Sequence, residues 1–97
     1  NLDKNTHFFR KEIKNIGFEI KEGTHPIVPI MIKNPKIAQN FAKEMLEYGI
    51  YVIAFSYPVV PKNESRIRVQ ISSAHTEQQI QFAIDAFKKC GKKYKLI

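Results

Sequence analysis

At 97 residues, with 43% hydrophobic and 26% charged side chains, the chain has the composition of one compact core and leaves no room for a second domain. No apolar stretch approaches the roughly 20 residues that cross a bilayer, and the opening NLDKNTHFFR has neither the apolar run of a signal peptide nor the Arg/Ser-rich pattern of a transit peptide. The net charge of +7 raises a phosphate-binding reading, for a nucleic acid or a coenzyme, but the lysines are scattered and thicken only at Lys88, Lys89, Lys92, Lys93 and Lys95, where cations suit a helix C-terminus, so a solvated surface is expected.

The chain begins at Asn1 without a methionine and is read as a segment of a longer protein. Phe9, Ile13 and Ile16 recur at helical spacing before Gly17, which predicts an amphipathic helix over about residues 3–16 with a glycine stop. Residues 18–24 read as a connector. HPIVPIMI, from His25 to Ile32, is apolar and β-branched and reads as a strand. Pro26 and Pro29 cannot donate to a ladder, so this strand belongs at an edge, with a neighbour on one side only.

Asn34-Pro35 is an N-cap followed by proline at the first helical position. Ile37, Ala38, Phe41, Ala42, Met45 and Leu46 then mark one face of a helix that stops at Gly49. IYVIAFSY, residues 50–57, is a second strand, and RIRVQIS, residues 66–72, alternates as a third. Thr76 with Gln79 forms a capping box, opening a last helix with Ile80, Ala83, Ile84 and Phe87 inside and an end near Gly91.

The element order is α-β-α-β-β-α. A short connection of about eight residues makes the second and third strands antiparallel neighbours, and the proline-bearing first strand needs an edge. The expected fold is α+β, a two-layer sandwich with a three-stranded antiparallel sheet in the order 1-3-2 and helices on one face. With Ile67, Val69 and Ile71 toward the helices, Arg66, Arg68 and Gln70 point the other way. The first two strands are apolar on both faces, which suits a sheet covered on both sides. The second face should therefore meet mass from outside this segment and place the two arginines at a domain boundary, where ligand clefts are common.

Few residues suggest independent chemistry. There is no Gly-x-Ser-x-Gly elbow, no glycine-rich phosphate loop and no Cys/His constellation, and His25 and His75 lack partners at metal spacing, so both are read as structural and His7 as solvated. Cys90 is the lone cysteine, fits a reducing compartment, and reads as a small side chain near a helix end. Arg66 and Arg68 project to one side of a strand, where a guanidinium fork suits a carboxylate or phosphate; pairing with an acid from elsewhere is the equal alternative. The stiff stretch Tyr57, Pro58, Val59, Val60 and Pro61 could wall a pocket or simply leave a strand. An RNA-recognition module is the rival from another class, but RIRVQIS carries no aromatic to stack a base.

HPIVPIMI, GIYVIAFSYPVVPK and RIRVQISSAHT, in that order and spacing, are similar to the C-terminal domain of the α-oxoamine synthases. The FSYPVVP and QISSAHT wording most resembles the glycine C-acetyltransferase branch, with Tyr57 a mild departure from its usual phenylalanine. The resemblance covers essentially the whole chain. It implies the small domain, residues 1–97, of a homodimeric fold-type-I enzyme that uses pyridoxal 5'-phosphate (PLP) to condense glycine with acetyl-CoA, the alternatives being another α-oxoamine synthase (8-amino-7-oxononanoate, 5-aminolevulinate or serine palmitoyl type) or an amino-acid-binding regulatory module. It also implies a cytoplasmic setting, or a mitochondrial one if the parent is eukaryotic; from the residues themselves, no membrane or nucleic-acid partner is expected. In the family the second arginine of the Arg-x-Arg strand grips the amino-acid carboxylate, which maps onto Arg68. The PLP-binding lysine belongs to the large domain, so this segment alone is expected to be inactive and to bind no cofactor.

Overall fold

The computed structural model describes residues 2–97; Asn1 lies outside them. Its elements are α1 (Leu2–Asn15), β1 (Ile27–Lys33), α2 (Pro35–Glu47), β2 (Ile53–Phe55), β3 (Ser65–Gln70) and α3 (Glu77–Lys93). The sheet is antiparallel in the order β1-β3-β2. The α+β architecture and element order are as the sequence predicts.

Local chemistry accounts for the helix ends. Asn34 Oδ1 accepts from the backbone N–H groups of Lys36 and Ile37 at 3.0 and 3.1 Å, and Pro35 occupies the first helical position, where no N–H is needed. At α3 the capping box is complete: the Gln79 N–H donates to Thr76 Oγ1 at 3.1 Å and the Thr76 N–H to Gln79 Oε1 at 2.9 Å. Gly17 and Gly49 follow α1 and α2 with φ of 115° and 81°, a backbone region that disfavours side chains.

One core fills the space between the sheet and the helices. Val28, Ile30 and Ile32 of β1, Val52, and Ile67, Val69 and Ile71 are buried with Phe9, Ile13, Phe41, Met45, Ile80, Ile84 and Phe87 of the helices. Phe87 meets Phe9 edge-on at 5.8 Å and Phe41 at 5.7 Å between centroids. The outward residues Ile27, Pro29, Met31, Ile53, Phe55, Arg66 and Arg68 remain partly exposed, so the chain leaves the second face of its sheet open.

The structure differs from the sequence reading at several points. β2 is three residues long because the Ile50 N–H caps α2, donating to Met45 O at 3.0 Å, and Val59 and Val60 turn back onto Ser56 O. β1 is an edge of the three-stranded sheet, yet its outer side is not bare: Ile20 bridges Ile30, and the Lys21 N–H donates to Pro29 O at 3.2 Å. Leu46 is exposed, since at about 100° per residue it lies beyond the arc held by Ala38, Phe41 and Met45. Gly91 does not end α3, which runs on to Lys93; it is buried where a Cβ would lie 2.6 Å from Phe18 Cζ. Ala83 is only half-buried.

Candidate substrate-carboxylate site

β3 alternates β-branched residues with polar ones, and its pairing on both sides makes it the central strand. That alternation drives Ile67 and Val69 under the helices and lifts Arg66 and Arg68 onto the open face. The two arginines then diverge. Arg66 turns back on its own strand, its Nε donating to Glu64 O at 3.0 Å and its Nη2 lying 3.3 Å from Glu64 Oε1. Its side chain is 17% exposed, and its fork is committed to the strand entrance.

Arg68 stands between Pro29 of β1 and Ile53 of β2 in the register. Among the described residues its guanidinium has no hydrogen bond and no ion pair; its Cζ lies over the Phe55 ring, 5.0 Å from the centroid. Its cross-strand neighbours Pro29 and Ile53 are apolar, and among the described residues no carboxylate pairs with it. A cation with unused N–H donors on a partly apolar surface is arranged to take a planar anion.

The proline-bearing loop leaves the end of β2 beside this face. Tyr57 and Val59 are 61% and 73% exposed, and the Tyr57-Pro58 bond is cis. Lys62 Nζ sits 5.1 Å from the Tyr57 ring centroid, and Ser65 Oγ donates to Ser56 Oγ at 3.0 Å, tying the loop mouth to the start of β3. Pro58, Val59 and Pro61 are exposed and Val60 is partly buried.

The histidines hold backbone. His25 Nδ1 accepts from the Ile27 N–H at 3.1 Å and His75 Nδ1 from the Ser72 N–H at 3.0 Å, and His7 is exposed. Among the described residues no group of three or more His, Cys, Asp or Glu could hold a metal, and no helix is long and apolar enough to cross a membrane.

Two other features escaped the sequence reading. A hollow of about 720 Å³ opens where Tyr51 and Gln70 part beyond the short β2, walled by Phe9, Ile50, Ile71 and Phe82. Neither Arg68 nor the proline loop lines it, and its lining, which also includes Gln70, Ser72, His75, Gln78 and Gln79, carries no arginine or lysine to pair with a carboxylate. Between α2 and α3, Glu44 accepts from Cys90 Sγ at 3.2 Å and pairs with Lys93. That contact with Lys93 holds the Glu44 carboxyl below the usual carboxylate range, and Glu44 in turn raises Lys93. Burial, reinforced by Glu44, pushes the Cys90 thiol up to about 12, which keeps it protonated and disqualifies it as a nucleophile. The cluster clips two helices together.

Comparison with known proteins converges on one family. The aminotransferase class I and II family matches residues 1–87. An 8-amino-7-oxononanoate synthase of Fervidobacterium nodosum is 42% identical over 93 residues, 96% of this chain and 24% of the relative. A 2-amino-3-ketobutyrate coenzyme A ligase of Salmonella typhimurium is 45% identical over 93 residues, 96% of this chain and 23% of the relative. A solved variant of serine palmitoyltransferase from S. paucimobilis, with a bound PLP–myriocin aldimine, superposes with a TM-score of 0.91 at 26% identity, over 99% of this chain and 25% of that one. The chain thus spans about a quarter of the length of the curated relatives it matches. It belongs to the aminotransferase class I and II family and is homologous to the α-oxoamine synthases.

Proposed function

We propose that this chain is the C-terminal small domain of a homodimeric, PLP-dependent α-oxoamine synthase that condenses glycine with acetyl-CoA, and that Arg68 grips the carboxylate of the amino-acid substrate. The observation that carries the reading is the unengaged guanidinium of Arg68 on a sheet face the chain leaves open. The 45% identity to a 2-amino-3-ketobutyrate coenzyme A ligase supports the choice of branch.

PLP bound in the parent supplies an electron sink for the amino-acid carbanion. In this reading the lysine that holds PLP covalently lies in the large domain, outside this chain. What the chain fits is the other end of the substrate. Two parallel N–H donors of Arg68 would meet the two carboxylate oxygens, fixing both distance and plane. A carboxylate held in that way orients the Cα–H bond for proton removal, and orientation lowers the barrier without any further chemistry from this chain. The large domain, lying on the open face, would exclude water and strengthen the contact. The Tyr57–Pro61 loop would wall the same cleft.

A carboxylate is common to every amino acid, so Arg68 serves equally in a second reading, an enzyme of the 8-amino-7-oxononanoate synthase type, favoured by the 42% identity to that relative. Turnover by the parent enzyme separates the two: the reading requires glycine with acetyl-CoA to give the highest kcat/KM among amino acids and acyl-CoA chain lengths. A preference for a longer acyl thioester would transfer the chain to the second type.

A further inference from the structure

Phe55 lies opposite Arg66 in the register of β2 and β3, and Arg68 lies opposite Ile53. Straight pairing would place Arg66 on the ring. Instead Arg66 is drawn away by the carbonyl and carboxylate of Glu64, and Arg68 leans diagonally until its Cζ lies 5.0 Å from the Phe55 centroid. Diagonal neighbours on one face of an antiparallel pair are within reach of long and aromatic side chains. Arg68 thus points along β2 toward the end where the proline loop begins.

The chemistry of this contact differs from that of an ion pair. A carboxylate partner would take two of the five guanidinium N–H donors and cancel the charge. A ring face attracts the cation through its quadrupole and takes no donor. The ring therefore restricts a long, rotamer-rich side chain while leaving its fork free. An arginine held in this way loses less entropy when an anion arrives.

We propose that Phe55 is a positioning residue for Arg68: the ring pre-sets the guanidinium for the substrate carboxylate without competing with it. This rests on the carboxylate role proposed above for Arg68. The Glu64 clamp on Arg66 belongs to the same device, because it keeps the ring for the second arginine.

The test is steady-state kinetics of the parent enzyme with glycine varied at saturating acetyl-CoA, with the thermal midpoint read for each variant. Phe55→Leu and the volume-conserving Phe55→Met are expected to raise the glycine KM by about three- to tenfold with kcat changed by less than about twofold. Phe55→Tyr keeps the ring and is expected to stay within about twofold of wild type in KM. In an Arg68→Ala background the Phe55→Met change is expected to add less than about twofold, because the ring then has nothing to orient. Wild-type KM in both Phe55→Leu and Phe55→Met, together with loss of glycine binding in Arg68→Ala, would overturn the role of the ring alone. Equal KM increases from Phe55→Met with and without Arg68 would overturn it as well. A wild-type glycine KM in Arg68→Ala would instead remove the carboxylate role itself, and the inference with it.

Discussion

The helix-covered side of the sheet and the open side differ in how completely their polar groups are engaged, and two arginines make the difference plain. Arg10, 9% exposed on α1, donates to Lys21 O at 2.8 Å, to His25 O at 2.9 and 3.1 Å, and to Ile27 O at 3.1 Å. Arg68 carries the same fork and donates to nothing among the described residues. A guanidinium whose donors end on backbone carbonyls is part of the fold. One whose donors are free, on a face without a cover, is available to a ligand.

The largest effect expected from breaking this contrast is on stability. Arg10→Met should lower the free energy of unfolding by about 2–4 kcal/mol, because it removes charge-assisted hydrogen bonds and leaves the carbonyls of Lys21, His25 and Ile27 without their donor. Urea denaturation of the 97-residue chain reads it, and an unchanged midpoint would erase the distinction between the two arginines. Gly91→Ala should cost about 1–3 kcal/mol in the same assay, since its Cβ would press on the Phe18 ring from 2.6 Å.

A smaller, pH-dependent effect belongs to the clip between α2 and α3. The carboxyl of Glu44 titrates lower in the folded chain than in the unfolded one, so its contribution is present above the unfolded value and is lost as pH falls through the folded value. Lys93 is raised, so its share is present below its unfolded value and is lost as pH rises through the folded one. Glu44→Gln should therefore flatten both the acid and the alkaline limb of the urea midpoint against pH. A variant with the wild-type profile at both ends would show that the clip contributes nothing.

Much of this was legible in the sequence because local chemistry decides it. Asn34-Pro35, the Thr76/Gln79 capping box and the glycines at 17 and 49 fix helix ends from neighbouring residues alone. The alternation in RIRVQIS fixes which way Arg68 points, and Pro29 fixes β1 at a sheet edge. What depended on distant partners was not legible. Nothing in the sequence marks Arg10, whose carbonyl partners lie 11 to 17 residues away. Ile50 looks like strand, yet its N–H belongs to the α2 cap. Gly91 looks like a stop because the ring that needs its missing Cβ is 73 residues away, at Phe18. Phe55 reads as one more apolar strand residue, and only the diagonal lean of Arg68 reveals what it touches.

The most direct test is glycine binding by the parent enzyme carrying Arg68→Ala. A bidentate, charge-assisted contact corresponds to about ten- to a hundredfold in affinity. The variant should bind glycine at least about tenfold more weakly, keep its PLP absorbance, and unfold close to the wild-type temperature, because the guanidinium makes no hydrogen bond or ion pair among the described residues. Unchanged glycine affinity would contradict the account.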